Sequence, residues 1–138
     1  MNPQTIFDKF NELNVLVIGD VMLDRYLSGK VERISPEAPV PVVRLQGSEN
    51  RLGGAANVAL NIKGMGATPF LCSVIGEDDN ARIFMDLLPD AGILSKGIIK
   101  SKERCTTVKT RVIAANQHLL RVDQEDTYAL SSSESQQL

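Results

Sequence analysis

Apolar and polar positions follow two alternating periods along the chain, and each change of period marks an element. Ile6, Phe7, Phe10 and Leu13 share a helical face, Asn2 is a good N-cap and Pro3 suits a first helical position, so a helix is predicted over 3–13. Val15-Leu16-Val17-Ile18 is an unbroken apolar run closed by Gly19-Asp20. Such a run predicts a central strand covered on both faces, as in a parallel sheet. Residues 26–50 instead scatter Gly29, Pro36, Pro39, Pro41 and Gly47 among short β-like stretches such as 40–45. Proline removes ladder donors, so these stretches belong at an edge or in a small separate sheet. Ala55, Val58, Ala59, Ile62 and Met65 define the clearest helical stripe, over 54–65, with Gly64 and Gly66 to stop it. A buried strand over 69–75 follows. A helix capped by Asp79 then carries Ala81, Phe84, Met85 and Leu88 on its inner face and ends near 89–92. Residues 97–123 read as strands with a turn at Asn116-Gln117.

This alternation is that of one α/β domain. Ser131 and Glu134 have the spacing of a capping box, yet only seven residues follow Ser131. A helix so short is marginal alone, and the expectation is a chain cut inside an element, with a serine-rich tail as the alternative.

Composition narrows the function. Fifteen Lys and Arg against seventeen Asp and Glu leave a net charge of −2, without the basic excess of a nucleic-acid binder. With no Trp, two Tyr and four Phe, the chain has little with which to build an aromatic stacking platform. Cys72 and Cys105 are far apart and read as small buried hydrophobes in a reducing compartment. No apolar run approaches the roughly 20 residues of a membrane span, and residues 1–10 do not resemble a signal peptide. A cytoplasmic protein is expected.

His118 is the only histidine, and without an acidic or thiol cluster it predicts a solvated turn residue and no metal site. No phosphate-loop motif occurs. Gly53-Gly54 opens the clearest helix and would let backbone approach a ligand, with Asn57 in the first turn able to donate to and accept from hydroxyls. A tight turn with a locally bonded Asn fits the same pattern. Asp20 and Asp24 lie past the first strand, where doubly wound sheets bind ligands, or else cap a loop. Lys109 and Arg111 alternate with Val108, Thr110 and Val112 and so share one strand face with Thr107. They could hold a phosphate or simply face solvent. Arg121 and Asp123 join that face or pair with each other.

In order, these residues form three segments. The run Val15 to Tyr26 contains Gly19-Asp20 and Asp24-Arg25; Arg33-Ile34-Ser35-Pro36-Glu37-Ala38-Pro39-Val40-Pro41-Val42-Val43 follows; and Gly53-Gly54-Ala55-Ala56-Asn57-Val58-Ala59 closes the series. The whole, from about residue 12 to 126, resembles the ribokinase-like (PfkB) sugar kinases, most closely their heptose 7-phosphate kinase branch. The proline-rich run is its most discriminating part. The resemblance implies a ribokinase-like sandwich, with a parallel central sheet and a small β-lid to which residues 26–52 contribute, the chain being its N-terminal portion. It implies ATP- and Mg²⁺-dependent phosphorylation of D-glycero-D-manno-heptose 7-phosphate at the 1-position, for ADP-heptose and lipopolysaccharide core synthesis. Asp24, Gly53, Gly54 and Asn57 are implied to bind the sugar, and Lys109 and Arg111 its 7-phosphate or the sugar itself. It also implies a homodimer formed through the lid. The family's Gly-Ala-Gly-Asp run, which carries the anion hole and the catalytic base, is not among these residues. No catalytic residue is therefore expected in this chain, nor bound ATP or Mg²⁺ in the chain alone. An inert sugar-phosphate-binding or dimerisation fragment, or a kinase for another sugar, are the alternatives.

Overall fold

Asn2 begins the fold as expected: its side-chain oxygen accepts from the Gln4 N–H, and α1 (Pro3–Phe10) starts at the proline. The computed structural model describes residues 2–138. α1 ends three residues before Leu13, and none of its residues is buried. It stands beside the domain and does not help to cover it.

Two sheets follow. The first is parallel and three-stranded, in the order β1 (Asn14–Ile18), β4 (Thr68–Gly76), β5 (Gly97–Ser101). α2 (Ala55–Gly64) and α3 (Asp79–Asp90) enclose a core with Val17, Ala56, Ala59, Leu71, Ile75, Phe84 and Leu88. This corrects the expectation of a central first strand covered on both faces. β1 is an edge strand, and Leu16 and Ile18 on its outer face are 60% and 61% exposed, with Phe70 of β4 beside them at 43%. Alternate residues point to opposite faces, and both core helices pack on the face that Val17 and Leu71 share.

α2 is rotated from the predicted stripe. Ala56 and Ala59 are fully buried, whereas Val58 and Met65 are each 48% exposed. Small residues win the inner face because α2 also packs against β3 and β4. α3 is capped by Asp78, not Asp79: its carboxylate accepts from the Ala81 N–H at 2.8 Å. Ala81, Phe84 and Leu88 are buried as expected.

The second sheet is mixed, in the order β3 (Pro41–Gly54), β2 (Val21–Ile34), β6 (Val108–Ala114), β7 (Gln117–Gln124). β2 and β3 are 14 residues each, far longer than the short stretches expected. The prolines sit where they cost the ladder nothing, Pro36 and Pro39 in the loop and Pro41 at the first position of β3. β2 already contains Asp24, which is therefore a strand residue and not a loop residue. Ala115 and Asn116, at φ 49° and 59°, make the two-residue hairpin between β6 and β7, one position earlier than predicted. His118 follows in β7 and is exposed.

Buried bonds join the sheets. Ser73 Oγ accepts from the Val21 N–H, and fully buried Thr106 accepts from the Gly76 N–H through Oγ1 at 3.0 Å. Asp78 accepts from the Thr106 N–H at 2.8 Å, tying the start of α3 to the approach to β6. Cys72 and Cys105 are half-buried free thiols, less enclosed than expected. The capping box at Ser131 and Glu134 is formed and opens α4 (Ser132–Gln137). Glu134 accepts from Arg104 Nε at 3.2 Å, with both side chains under 10% exposed, so a buried ion pair supplies what six residues of helix lack. Among the described residues no helix is long and apolar enough to cross a membrane.

Candidate functional site

The two glycines are required by close approach. Gly54 has φ +59°, and a Cβ there would collide with the backbone oxygen of Asp20, which accepts from the Ala55 N–H at 2.9 Å. A Cβ on Gly53 would lie 3.1 Å from the carboxyl carbon of Asp24 and 2.9 Å from Met22. The turn into α2 is thus pressed onto the loop after β1 and onto the Asp24 carboxylate. Asn57 is exposed in the first turn of α2.

Register then assembles a charged sheet face. Asp24 is the cross-strand partner of Arg51 on β3 and of Lys109 on β6, and Lys109 is in turn the partner of Asp123 on β7. Positive and negative side chains alternate across four strands in one row. The next row on that face is Glu49, Tyr26, Arg111 and Arg121. Arg111 Nη1 donates to Asp24 Oδ1, with these side chains 18% and 16% exposed. Lys109 Nζ donates to Asp123 at 3.0 Å and Glu125 at 2.8 Å. Arg121 pairs with Asp123 through two bonds, at 2.8 and 3.0 Å. The Tyr26 ring has the Arg51 guanidinium 4.7 Å and the Arg111 guanidinium 5.5 Å from its centroid.

These pairs favour the charged forms of Lys109 and Asp123. Bonds to Glu125 and Asp123 raise the Lys109 pKa above the ordinary lysine value, and bonds from Lys109 and Arg121 hold Asp123 below the usual carboxylate range. Lys109 also lines a cavity of about 480 Å³ between the two sheets, together with Asp20, Met22, Thr107, Asp126 and Tyr128. Asp24, Gly53, Gly54, Asn57 and Arg111 are not part of that lining. Of the predicted residues, Asp24, Gly53, Lys109 and Arg111 therefore come together on one face, with Gly54 at the turn beside them. Asn57 stands at the helix start, and Asp20 belongs to the cavity. Tyr26 and Arg51 were missed: Tyr26 shares the face of Asp24 because both lie in β2, which was not predicted as a strand, and Arg51 reaches Asp24 only through the pairing of β2 with β3. Among the described residues no three His, Cys, Asp or Glu side chains group as a metal site.

The arrangement offers a carboxylate beside cations, suited to a ligand carrying both hydroxyls and a phosphate. Comparison with known proteins shows the family of the chain. The pattern defining the pfkB family carbohydrate kinases matches residues 12–138. Relatives include the bifunctional protein HldE of Pelobacter propionicus, 46% identical over 94% of this chain and 26% of that protein. The Helicobacter pylori (strain ATCC 700392 / 26695) protein of the same name is 53% identical over 80% of this chain and 24% of its own length. The chain spans about a quarter of the length of these curated relatives. Among solved structures, a ribokinase from Cryptococcus neoformans in complex with ADP superposes with a TM-score of 0.60 at 23% identity, covering 86% of this chain and 37% of that one. A carbohydrate kinase from Agrobacterium tumefaciens gives 0.64 at 18% identity, over 80% of this chain and 35% of that one. The fold is the ribokinase-like one.

Proposed function

The chain belongs to the pfkB family of carbohydrate kinases, and from that premise we propose that it is the acceptor-binding part of a kinase for D-glycero-D-manno-heptose 7-phosphate. The reaction moves the γ-phosphoryl of ATP to the 1-hydroxyl. The observation that carries this reading is the Asp24–Arg111 pair with Lys109 beside it on one sheet face. Asp24 accepts from sugar hydroxyls, and Arg111 and Lys109 hold the phosphate, the guanidinium as a fork and the ammonium as a point charge. Gly53 and Gly54 bring the start of α2 close enough for Asn57 to reach the sugar. The heptose assignment rests on the proline-rich run of residues 33–43, which becomes the β2–β3 loop and the start of β3.

ATP supplies the phosphoryl group and Mg²⁺ its charge neutralisation. Among the described residues no three His, Cys, Asp or Glu side chains group to hold the ion, which is assigned to no residue here. What these residues do is bind and orient the acceptor, which fixes the direction its hydroxyl presents.

The second sheet acts as the lid and pairs with a second copy. Its apolar side chains have too little of this chain to cover them: Leu120 and Val122 are each 53% exposed, Leu45 56% and Ile34 59%, with Val40 of the adjoining loop at 51%. Sedimentation at micromolar concentration is expected to give a dimer, and a monomer contradicts it. The acceptor reading is tested by titration calorimetry of the chain with heptose 7-phosphate and with heptose. Arg111→Gln is expected to weaken the phosphorylated ligand at least tenfold more than the other. Equal losses remove Arg111 from phosphate recognition.

A further inference from the structure

Asp24 and Arg25 are consecutive residues of β2, so their side chains leave opposite faces of the second sheet. Asp24 stands in the charged row. Arg25 turns to the first layer and makes two hydrogen bonds to separate elements. Its Nε donates to Oδ1 of Asn50, its cross-strand partner on β3, at 2.9 Å, and its Nη2 donates to Oδ1 of Asn80, in the first turn of α3, at 2.8 Å. No residue of β2 after Leu23, and none of β3 before Leu52, is buried, so the two strands project from the core. Among the described residues, hydrogen bonds join β2 to the first layer at its base, from the Val21 N–H to Ser73, and again at Arg25, past the last buried side chain. Asn80 is firmly held: Asp78 caps α3 and accepts from the Thr106 N–H, and Ala81, Phe84 and Leu88 of α3 share one core with Ala56 and Ala59 of α2. Arg25 thus ties β2, at the residue next to Asp24, to the packed layer that carries α2 and Asn57.

We propose that Arg25 is a positioning residue, a strut that sets the inclination of the second sheet over the first layer and so fixes the Asp24 carboxylate relative to Asn57. The proposal rests on the acceptor reading above, in which one sugar is held by Asp24 from the sheet and by Asn57 from α2. A ligand gripped from two layers senses the angle between them. Contacts confined to one sheet, such as Asp24 with Arg111, travel with it unchanged. A misplacement of about 1 Å can cost on the order of 10²-fold in rate, so the angle matters. The guanidinium suits this task. Its planar fork makes bonds of fixed mutual geometry to β3 and to α3, and less freedom is lost in forming them than with a lysine.

Asn80→Ala removes the bond between the layers and leaves the one to Asn50. In the 138-residue chain, residual dipolar couplings of the backbone amides give the orientation of one sheet relative to the other. Asn80→Ala is expected to change the couplings of the second sheet while those of the first keep their fit; Arg25→Met, which retains the aliphatic stem, is the second variant. Asn80→Asp keeps an acceptor for Arg25 and is expected to restore the original couplings. Calorimetry with heptose 7-phosphate is expected to show roughly tenfold weaker binding in Asn80→Ala and recovery in Asn80→Asp. Because the loss acts through Asp24, Asn80→Ala costs nothing further in an Asp24→Asn background, whereas a general loss of stability would add to it. Unchanged couplings of the second sheet in Asn80→Ala and Arg25→Met overturn the strut. Additive losses in the double variant overturn its action through Asp24. If heptose 7-phosphate does not bind the unaltered chain, the acceptor reading fails, and the couplings alone decide the strut.

Discussion

Arg111 donates to the carboxylate of Asp24 from 87 positions further along the chain, and the pair is mostly enclosed. It exists because β2 and β6 run parallel in a register that makes Asp24 the partner of Lys109, two register positions from Tyr26 and Arg111. Parallel neighbours need a long crossover, and here the crossover holds β3, α2, β4, α3 and β5. The two halves of the candidate site are thus separated in sequence by most of the fold.

Asp24→Asn in the complete kinase keeps the shape of the side chain and removes its charge. A hydrogen bond to a charged group is worth about 1.5–3 kcal/mol, so kcat/KM for the sugar phosphate is expected to fall about 10- to 150-fold. Steady-state kinetics with kcat/KM unchanged would take Asp24 out of the site.

Gly54→Ala forces a Cβ at φ +59° into the backbone oxygen of Asp20, a contact that cannot yield without moving the start of α2. A strained backbone of this kind costs about 1–3 kcal/mol. Urea denaturation is expected to show that loss, whereas Gly64→Ala, with open space around it, leaves the midpoint unchanged or raised. Equal stability of the two variants refutes the close approach.

Glu134 is held well below the ordinary carboxylate value, at about 2, by the Ser101 hydroxyl, the Ser131 N–H and Arg104. A carboxylate whose folded pKa is depressed contributes stability above its unfolded value of 4.5, and that contribution is lost as pH falls toward about 2. Docking of α4 is therefore expected to persist at neutral pH and to weaken progressively between those values. Hydrogen exchange of the Leu138 amide, which bonds to the Glu134 carbonyl, reports it. Glu134→Gln should abolish the pH dependence in this window; an unaltered profile contradicts the assignment.

The 138 residues alone are expected not to transfer phosphate to heptose 7-phosphate. Their sequence contains no Gly-Ala-Gly-Asp run, and the role proposed for Asp24 is to bind the acceptor. Acid–base catalysis supplies about 10²–10⁴-fold and one anion-hole donor about another 10²–10³. A coupled assay that found turnover within tenfold of the complete domain would place a base among these residues.

The α/β alternation, the caps at Asn2 and Ser131, the inner face of α3 and the glycine turn were legible in the sequence, because each is set by neighbours within a turn or two of the chain. So was the pairing of Lys109 with Arg111 on one face, which follows from period 2 alone. The placement of β1 at an edge was not, because an apolar run records that both faces are suited to burial and not which neighbours arrive. The inward face of α2 was only partly legible, for a related reason. Ala59 of the predicted stripe is buried, but close packing on β3 and β4 admits Ala56 beside it where periodicity favours the bulkier Val58 and Met65. The partners of the site lay furthest from view. Asp24 with Arg111, Tyr26 with Arg51, and Arg111 opposite Arg121 are products of strand register, and register is decided by which faces the folded core buries.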